Sequence, residues 1–123
     1  MNNTKRPVNS HKAYHAHVYF DVNTLAFASE LCKEAGKRFN LNVGRVHEKP
    51  VGPHLKWSCQ LSFGSKDFDV FVPWLDEKRN SLSVFIHALS GNDLDDHTTY
   101  AYWLGDSVEL DLSMFGVNNL GLL

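Results

Sequence analysis

Seven histidines stand in this chain of 123 residues, and four of them fall where strand geometry can gather them. His15 and His17 alternate with apolar residues in Tyr14-His15-Ala16-His17-Val18-Tyr19-Phe20, a strand pattern. His54 precedes the alternating run Trp57 to Phe63, and His87 lies late in the strand-like run Leu82 to Leu89. Imidazole is a common protein ligand for iron, zinc and copper, and a mononuclear site needs about three such groups on one side with open positions on the other. One strand histidine is more often a structural or solvated residue, so the chemistry depends on whether the fold brings several together.

The elements that must position them can be read in order. Asn23 or Thr24 can cap a helix in which Leu25, Ala28, Leu31, Cys32, Ala35 and Phe39 recur at helical spacing, ended by Asn40-Leu41-Asn42. Val43 to Glu48 is a short second strand. Pro50-Val51-Gly52-Pro53 is a turn, and Trp57 to Phe63 is a third strand. Ser65 can cap a second helix carrying Phe68, Phe71, Val72 and Leu75; Pro73 should kink it or start another. Leu82 to Leu89 is the fourth strand, followed by a mixed segment from Asp96 to Gly105 and a last alternation of Val108, Leu110 and Leu112. The order β-α-β-β-α-β with a C-terminal extension predicts an α+β, ferredoxin-like fold: two helices on one face of an antiparallel sheet ordered 4-1-3-2.

Residues 1–13 read as a flexible arm and residues 14–123 as a single domain. Side chains alternate across a strand, so Ala16, Val18 and Phe20 should face the helices and leave His15, His17 and Tyr19 on the open face. Cys59, Leu61 and Phe63 go under the helices, with Ser58, Gln60 and, by continued register, His54 on the open side. Leu82, Val84 and Ile86 pack inward, which sends Phe85 and His87 outward. With the first and third strands taken as parallel, His15, His17, His54 and His87 converge on one corner near Gln60 and Tyr19. Three strands supplying one ligand each, His17, His54 and His87, spread the donors best about an ion. His15, at the strand start, is better placed as an acid–base group.

Composition sets further bounds. A chain of this length buries roughly two-thirds of the surface its unfolded form exposes, enough for a core without staples. Apolar residues make up 43% and charged residues 21%, which argues against disorder. A net charge of −2 and the lack of a basic stripe give no reason to expect nucleic acid. Met1 to Lys12 has no apolar signal region and no run is long enough to span a bilayer, so a cytoplasmic location is expected. Cys32 and Cys59 read as buried free thiols. His11 and His47 read as solvated, and Asp93, Asp95 and Asp96 as a solvated turn. Trp74, Tyr102 and Trp103 read as core or dimer contacts. Tyr19 and Phe85 on an uncovered sheet face predict a homodimer that shelters the site.

Several spaced blocks together resemble the DOPA 4,5-dioxygenase family. They are Tyr14 to Phe20, Val51-Gly52-Pro53-His54, Val72-Pro73-Trp74-Leu75 followed by Arg79, and Leu82 to His87. Asp96-His97-Thr98 and Trp103-Leu104-Gly105 are similar to its closing blocks. The likeness runs from about Tyr14 to Leu112 and departs where Leu55 follows His54 and Ala88 follows His87 in place of proline. The resemblance implies extradiol opening of a catechol such as DOPA by dioxygen, with a non-haem Fe(II) or another divalent ion as cofactor. Such an ion must keep three positions free, two for catechol oxygens and one for dioxygen. It also implies His97 as a second acid–base group beside His15; Tyr19 and Gln60, which strand parity puts close to the histidine corner, are expected substrate contacts. The usual triad of this chemistry includes a carboxylate. Glu109 could supply one if the C-terminal segment folds back, but an all-histidine triad is the preferred expectation. The alternative is a non-enzymatic dimeric domain that binds a small aromatic ligand on its open sheet face.

Overall fold

The computed structural model describes residues 5–116. Strand β1 (Ala13–Phe20) leads into helix α1 (Leu25–Phe39), β2 (Asn42–His47), β3 (Trp57–Gly64), helix α2 (Ser65–Lys78) and β4 (Val84–Ala88). A four-residue helix α3 (Asp93–Asp96), a fifth strand β5 (Ala101–Leu104) and a 3-10 turn at Ser113–Phe115 follow. The protein is α+β, with helices packed on a five-stranded antiparallel sheet ordered β2-β3-β1-β4-β5. The first four strands have the order expected from the sequence.

Two expectations need correction. β1 and β3 are antiparallel, with Tyr19 opposite Ser58 and Phe20 opposite Trp57. His54, three residues ahead of β3, would therefore project beyond the end of β1 if the strand simply continued. The segment Asp96 to Gly105 also contains β5, which extends the sheet beyond β4. All four of its residues are buried, so it shows no alternation of polar and apolar residues to mark it.

Parity holds on both faces. Ala16, Val18, Phe20, Cys59, Leu61, Phe63, Val84 and Ile86 join Ala28, Leu31, Cys32, Ala35, Phe68, Phe71, Val72 and Leu75 in the helix-side core. Cys32 and Cys59 are buried free thiols. The turn before α1 is ordered by Asp21, whose carboxylate accepts from the backbone N–H groups of Asn23 and Thr24 and from the Thr24 hydroxyl. Asn40 ends the helix in the left-handed region at φ 56°. α2 runs through Pro73 as one element. The carbonyl that proline leaves without a donor belongs to Asp69, and both residues are exposed, so water can satisfy it.

The second sheet face is not open. Tyr19, Phe85, Ala101 and Trp103 form a second buried cluster, against which Val108 and Leu110 of the C-terminal extension pack. The chain covers its own apolar face, which removes the premise on which a homodimer was expected. Ahead of β1, the carbonyl of Lys5 accepts from the Trp103 N–H at 2.9 Å, Arg6 pairs with Asp76 at 2.7 Å, and the Tyr14 hydroxyl accepts from the N–H groups of Ser10 and His11. Among the described residues no helix is long and apolar enough to cross a membrane.

Candidate metal centre

β1 and β4 build the centre by register. His15 lies directly opposite His87, and His17 lies opposite Phe85 on one side and Gln60 on the other. Paired residues of an antiparallel ladder project from the same face, so the three imidazoles share one small area of the sheet. One nitrogen from each of His15, His17 and His87 lies within 4.8 Å of the others, a grouping that could hold a metal ion. His17 Nε2 and His87 Nε2 are 3.1 Å apart. Two nitrogens bound to one ion at about 2.1 Å, at a right angle, would be separated by about 3 Å, so this pair already has the spacing of neighbouring ligands.

The surroundings prepare these rings to bind an ion. His87 Nδ1 is 2.9 Å from the Ala88 carbonyl; a carbonyl only accepts, so Nδ1 carries the proton and Nε2 presents its lone pair. Burial lowers the pKa of His87 to about 4, partly opposed by that same hydrogen bond and increased by His97 and His15. Burial, then the neighbouring His54, His87, His15 and His97, holds His17 well below its ordinary value. His15, half-buried at the rim, is lowered by burial and by His97. Packed together away from water, the imidazoles disfavour one another's charged form. At neutral pH they are uncharged, the state a metal requires.

His54 reaches the same face by a route other than the expected register. The Val51–His54 turn closes through the His54 N–H to the Val51 carbonyl at 3.1 Å and folds the histidine back over β1. His54 also bridges to Leu110, and the Asp111 N–H donates to the Pro53 carbonyl at 2.9 Å, which ties the turn to the C-terminal extension. The His54 ring lies 4.0 Å from that of His17, but its Nδ1 is 2.6 Å from the Tyr19 hydroxyl and it falls outside the three-histidine group. Burial, then His97, His47 and His15, lowers its pKa to about 4. Burial raises that of Tyr19, so the phenol stays protonated. The ligand set the geometry assembles therefore has His15 where the sequence reading had His54.

His97 packs its ring 4.3 Å from that of His87 and 4.6 Å from that of Phe115. Its Nδ1 is 2.7 Å from the Asp93 carbonyl, so this ring too donates from Nδ1. Gln60 stands at the rim with its amide nitrogen 3.5 Å from His15 Nε2. Tyr19, expected as a substrate contact, is 2% exposed and its hydroxyl is engaged with His54. Glu109 is exposed and lies outside the group; the three-residue set contains no carboxylate.

Sequence reasoning missed three supports. Phe85, fully buried, lies within 6.1 Å, ring to ring, of His17, His54, His87 and His97 and forms the floor between them. The Ala88 carbonyl fixes the His87 ring, which the residue type at that position does not encode. Asp96 was read as part of a solvated turn, yet it is 2% exposed and its two carboxylate oxygens accept from the Ser90 N–H at 3.1 and 3.0 Å. That clamp closes the loop after β4 and places His97 beside His87. An acidic residue next to a candidate histidine was the available signal.

A ferredoxin-like sheet with three inward imidazoles able to hold one metal ion defines the general class. The model of the Dopa 4,5-dioxygenase family matches residues 14–114, and the chain belongs to that family. It is 31% identical to a DOPA 4,5-dioxygenase of Amanita muscaria over 111 residues, covering 83% of this chain and 49% of that protein. It is 35% identical over 114 residues to an uncharacterised 21.2 kDa protein of Botryotinia fuckeliana, covering 83% of this chain and 62% of the other. The chain thus spans about half to three-fifths of the length of these relatives. The crystal structure of a candidate dioxygenase from Nostoc punctiforme superposes with a TM-score of 0.82 at 36% identity, covering 85% of this chain and 91% of that one.

Proposed function

We propose that the protein is an extradiol-type dioxygenase that opens the ring of a catechol such as DOPA, with dioxygen as co-substrate and a non-haem Fe(II) as cofactor. The observation that carries the reading is the convergence of His15, His17 and His87 on one point in a chain of this family. Three neutral nitrogen donors suit a divalent iron and leave coordination positions free for a bidentate catechol and dioxygen. When bound, the ion would supply an electrophilic centre and a path by which electrons of the catechol ring reach dioxygen.

The protein's own groups would do the remaining work. His15, His17 and His87 hold the ion. His97, its ring beside that of His87, takes a proton from the catechol as it binds and returns it when the ring opens. Phe85 and Trp103 keep the floor apolar, and the extension carrying Val108 and Leu110 limits access of water. Gln60 at the rim contacts the substrate. With no carboxylate among the three donors, the bound ion would keep its full positive charge, which favours loss of the catechol proton on binding.

Iron content and oxygen uptake test this reading together. Protein loaded anaerobically with ferrous iron should retain one ion per chain and consume one dioxygen per catechol, with growth of a coloured ring-opened product. Loaded protein that binds catechols but consumes no oxygen would instead indicate a domain that only binds aromatic ligands.

A further inference from the structure

We infer that Tyr19 is a positioning residue that holds His54 as a hydrogen-bond donor, with the proton on Nε2, facing the negative charge that a bound catechol brings. The inference rests on the proposed dioxygenase reading for its substrate, and on geometry alone for the state of His54. The Tyr19 oxygen and His54 Nδ1 are 2.6 Å apart, and both side chains are buried. That length suits an O–H donor; an N–H donating to oxygen prefers about 2.9–3.0 Å. The phenol therefore donates, Nδ1 accepts, and the proton of the neutral ring is left on Nε2.

Two rings of the site bond through Nδ1 the other way round. His87 and His97 both donate from Nδ1 to carbonyl oxygens, of Ala88 and Asp93, and burial keeps the His87 ring neutral with a bare Nε2. The centre thus divides its imidazoles by what each one leaves unsatisfied. His87 presents an acceptor, and His54, its ring 4.0 Å from that of His17 and tilted against it, presents a donor. A catechol loses positive hydrogen and gains oxygen charge as it binds a metal ion, and a fixed donor beside the ligand cluster stabilises that charge. The backbone ties through Val51, Pro53 and Leu110 keep the ring in place, so Tyr19 has only to set its proton.

Nitrogen-15 NMR of the metal-free full chain reads the state of the ring directly. His54 in the wild type should show a single Nε2–H tautomer, and Tyr19→Phe should lose that preference while the shifts of His97 change little. In the iron-loaded enzyme Tyr19→Phe should retain its metal and lower catechol turnover roughly 10–100-fold, the usual scale for an outer-shell partner. The same substitution in a His54→Ala background should have no further effect, because Tyr19 acts through His54. An Nδ1–H tautomer in the wild type, or full additivity of the two substitutions, would overturn the inference. If the loaded wild type opens no catechol, the dioxygenase reading and the substrate half of this inference fall together, while the spectrum still decides whether Tyr19 fixes His54.

Discussion

His17 Nε2 and His87 Nε2 stand 3.1 Å apart across the β1–β4 pair although they are not opposite one another in register. His87 pairs with His15, and His17 reaches it along the diagonal. The diagonal brings a third ring into range, since His15 and His87 rings are 5.3 Å apart and His17 and His87 rings 5.2 Å. Three imidazoles on two strands therefore need no loop movement to meet one ion.

Substitution of these rings should separate ligands from neighbours. His17→Ala and His87→Ala should abolish retention of iron through gel filtration, and His15→Ala should do nearly the same. His54→Ala should keep close to one ion per chain while turnover falls. Metal analysis of the four purified variants is the measurement. If His54→Ala loses its iron and His15→Ala keeps it, the ligand set is the one first read from strand order.

Acid should loosen the metal-free protein in a defined window. His54 and His87 have folded-state pKa values lowered to about 4, against an ordinary value of 6.5. Between these values the unfolded chain binds protons that the folded chain does not, so stability rises with pH there. The contribution is fully present above about pH 6.5 and is lost as pH falls through about 4, at about 3 kcal/mol for each ring. Urea titrations of metal-free protein at pH 7 and pH 5 should show a lower midpoint at pH 5. Equal midpoints would mean that these rings are not held neutral.

Strand parity makes most of the site legible in the sequence. His15, His17, Gln60 and His87 needed only period-two alternation to be placed on one face, and the register confirms that placement. His54 was harder. Its position depends on a turn that reverses the chain and on backbone ties to residues 110 and 111, and neither leaves a mark in side-chain pattern. The cover over Tyr19 and Phe85 was hidden for a related reason. Val108 and Leu110 alternate like a strand but pack as irregular chain, so their partner could not be read from their period. β5 escaped because burial on both sides removes alternation.

Gly105 should resist substitution. Its φ is +77°, and a Cβ there would lie 2.5 Å from Arg79 Nη1 and 3.4 Å from the Leu82 carbonyl oxygen. Arg79 donates to Asp76 at 2.8 Å and to that same carbonyl at 3.2 Å, tying the end of α2 to the start of β4. Gly105→Ala combines backbone strain with displacement of the guanidinium and should cost about 1–3 kcal/mol. A lower thermal midpoint with unchanged iron content is the expected result. An unchanged midpoint would show that Arg79 gives way freely.

Phe85 and Ile86 offer a comparison within one strand. Both are fully buried, but Ile86 faces the helices and Phe85 the histidines. Phe85→Ala should cost about 3–5 kcal/mol and Ile86→Ala about 2–5 kcal/mol, because each leaves a cavity in packed surroundings. Their effects on metal should differ. The Phe85 ring lies 5.9 Å from that of His17 and 5.4 Å from that of His87, so its loss removes packing from both ligand rings and leaves His87 held by its Ala88 hydrogen bond. Iron affinity should fall by about 10–100-fold in Phe85→Ala, as for other groups that orient ligands, and by far less in Ile86→Ala. Competition with a chelator at a temperature where both variants remain folded measures the difference. Equal loss of iron from both would mean that affinity follows overall stability, and that the aromatic floor has no separate part in holding the site.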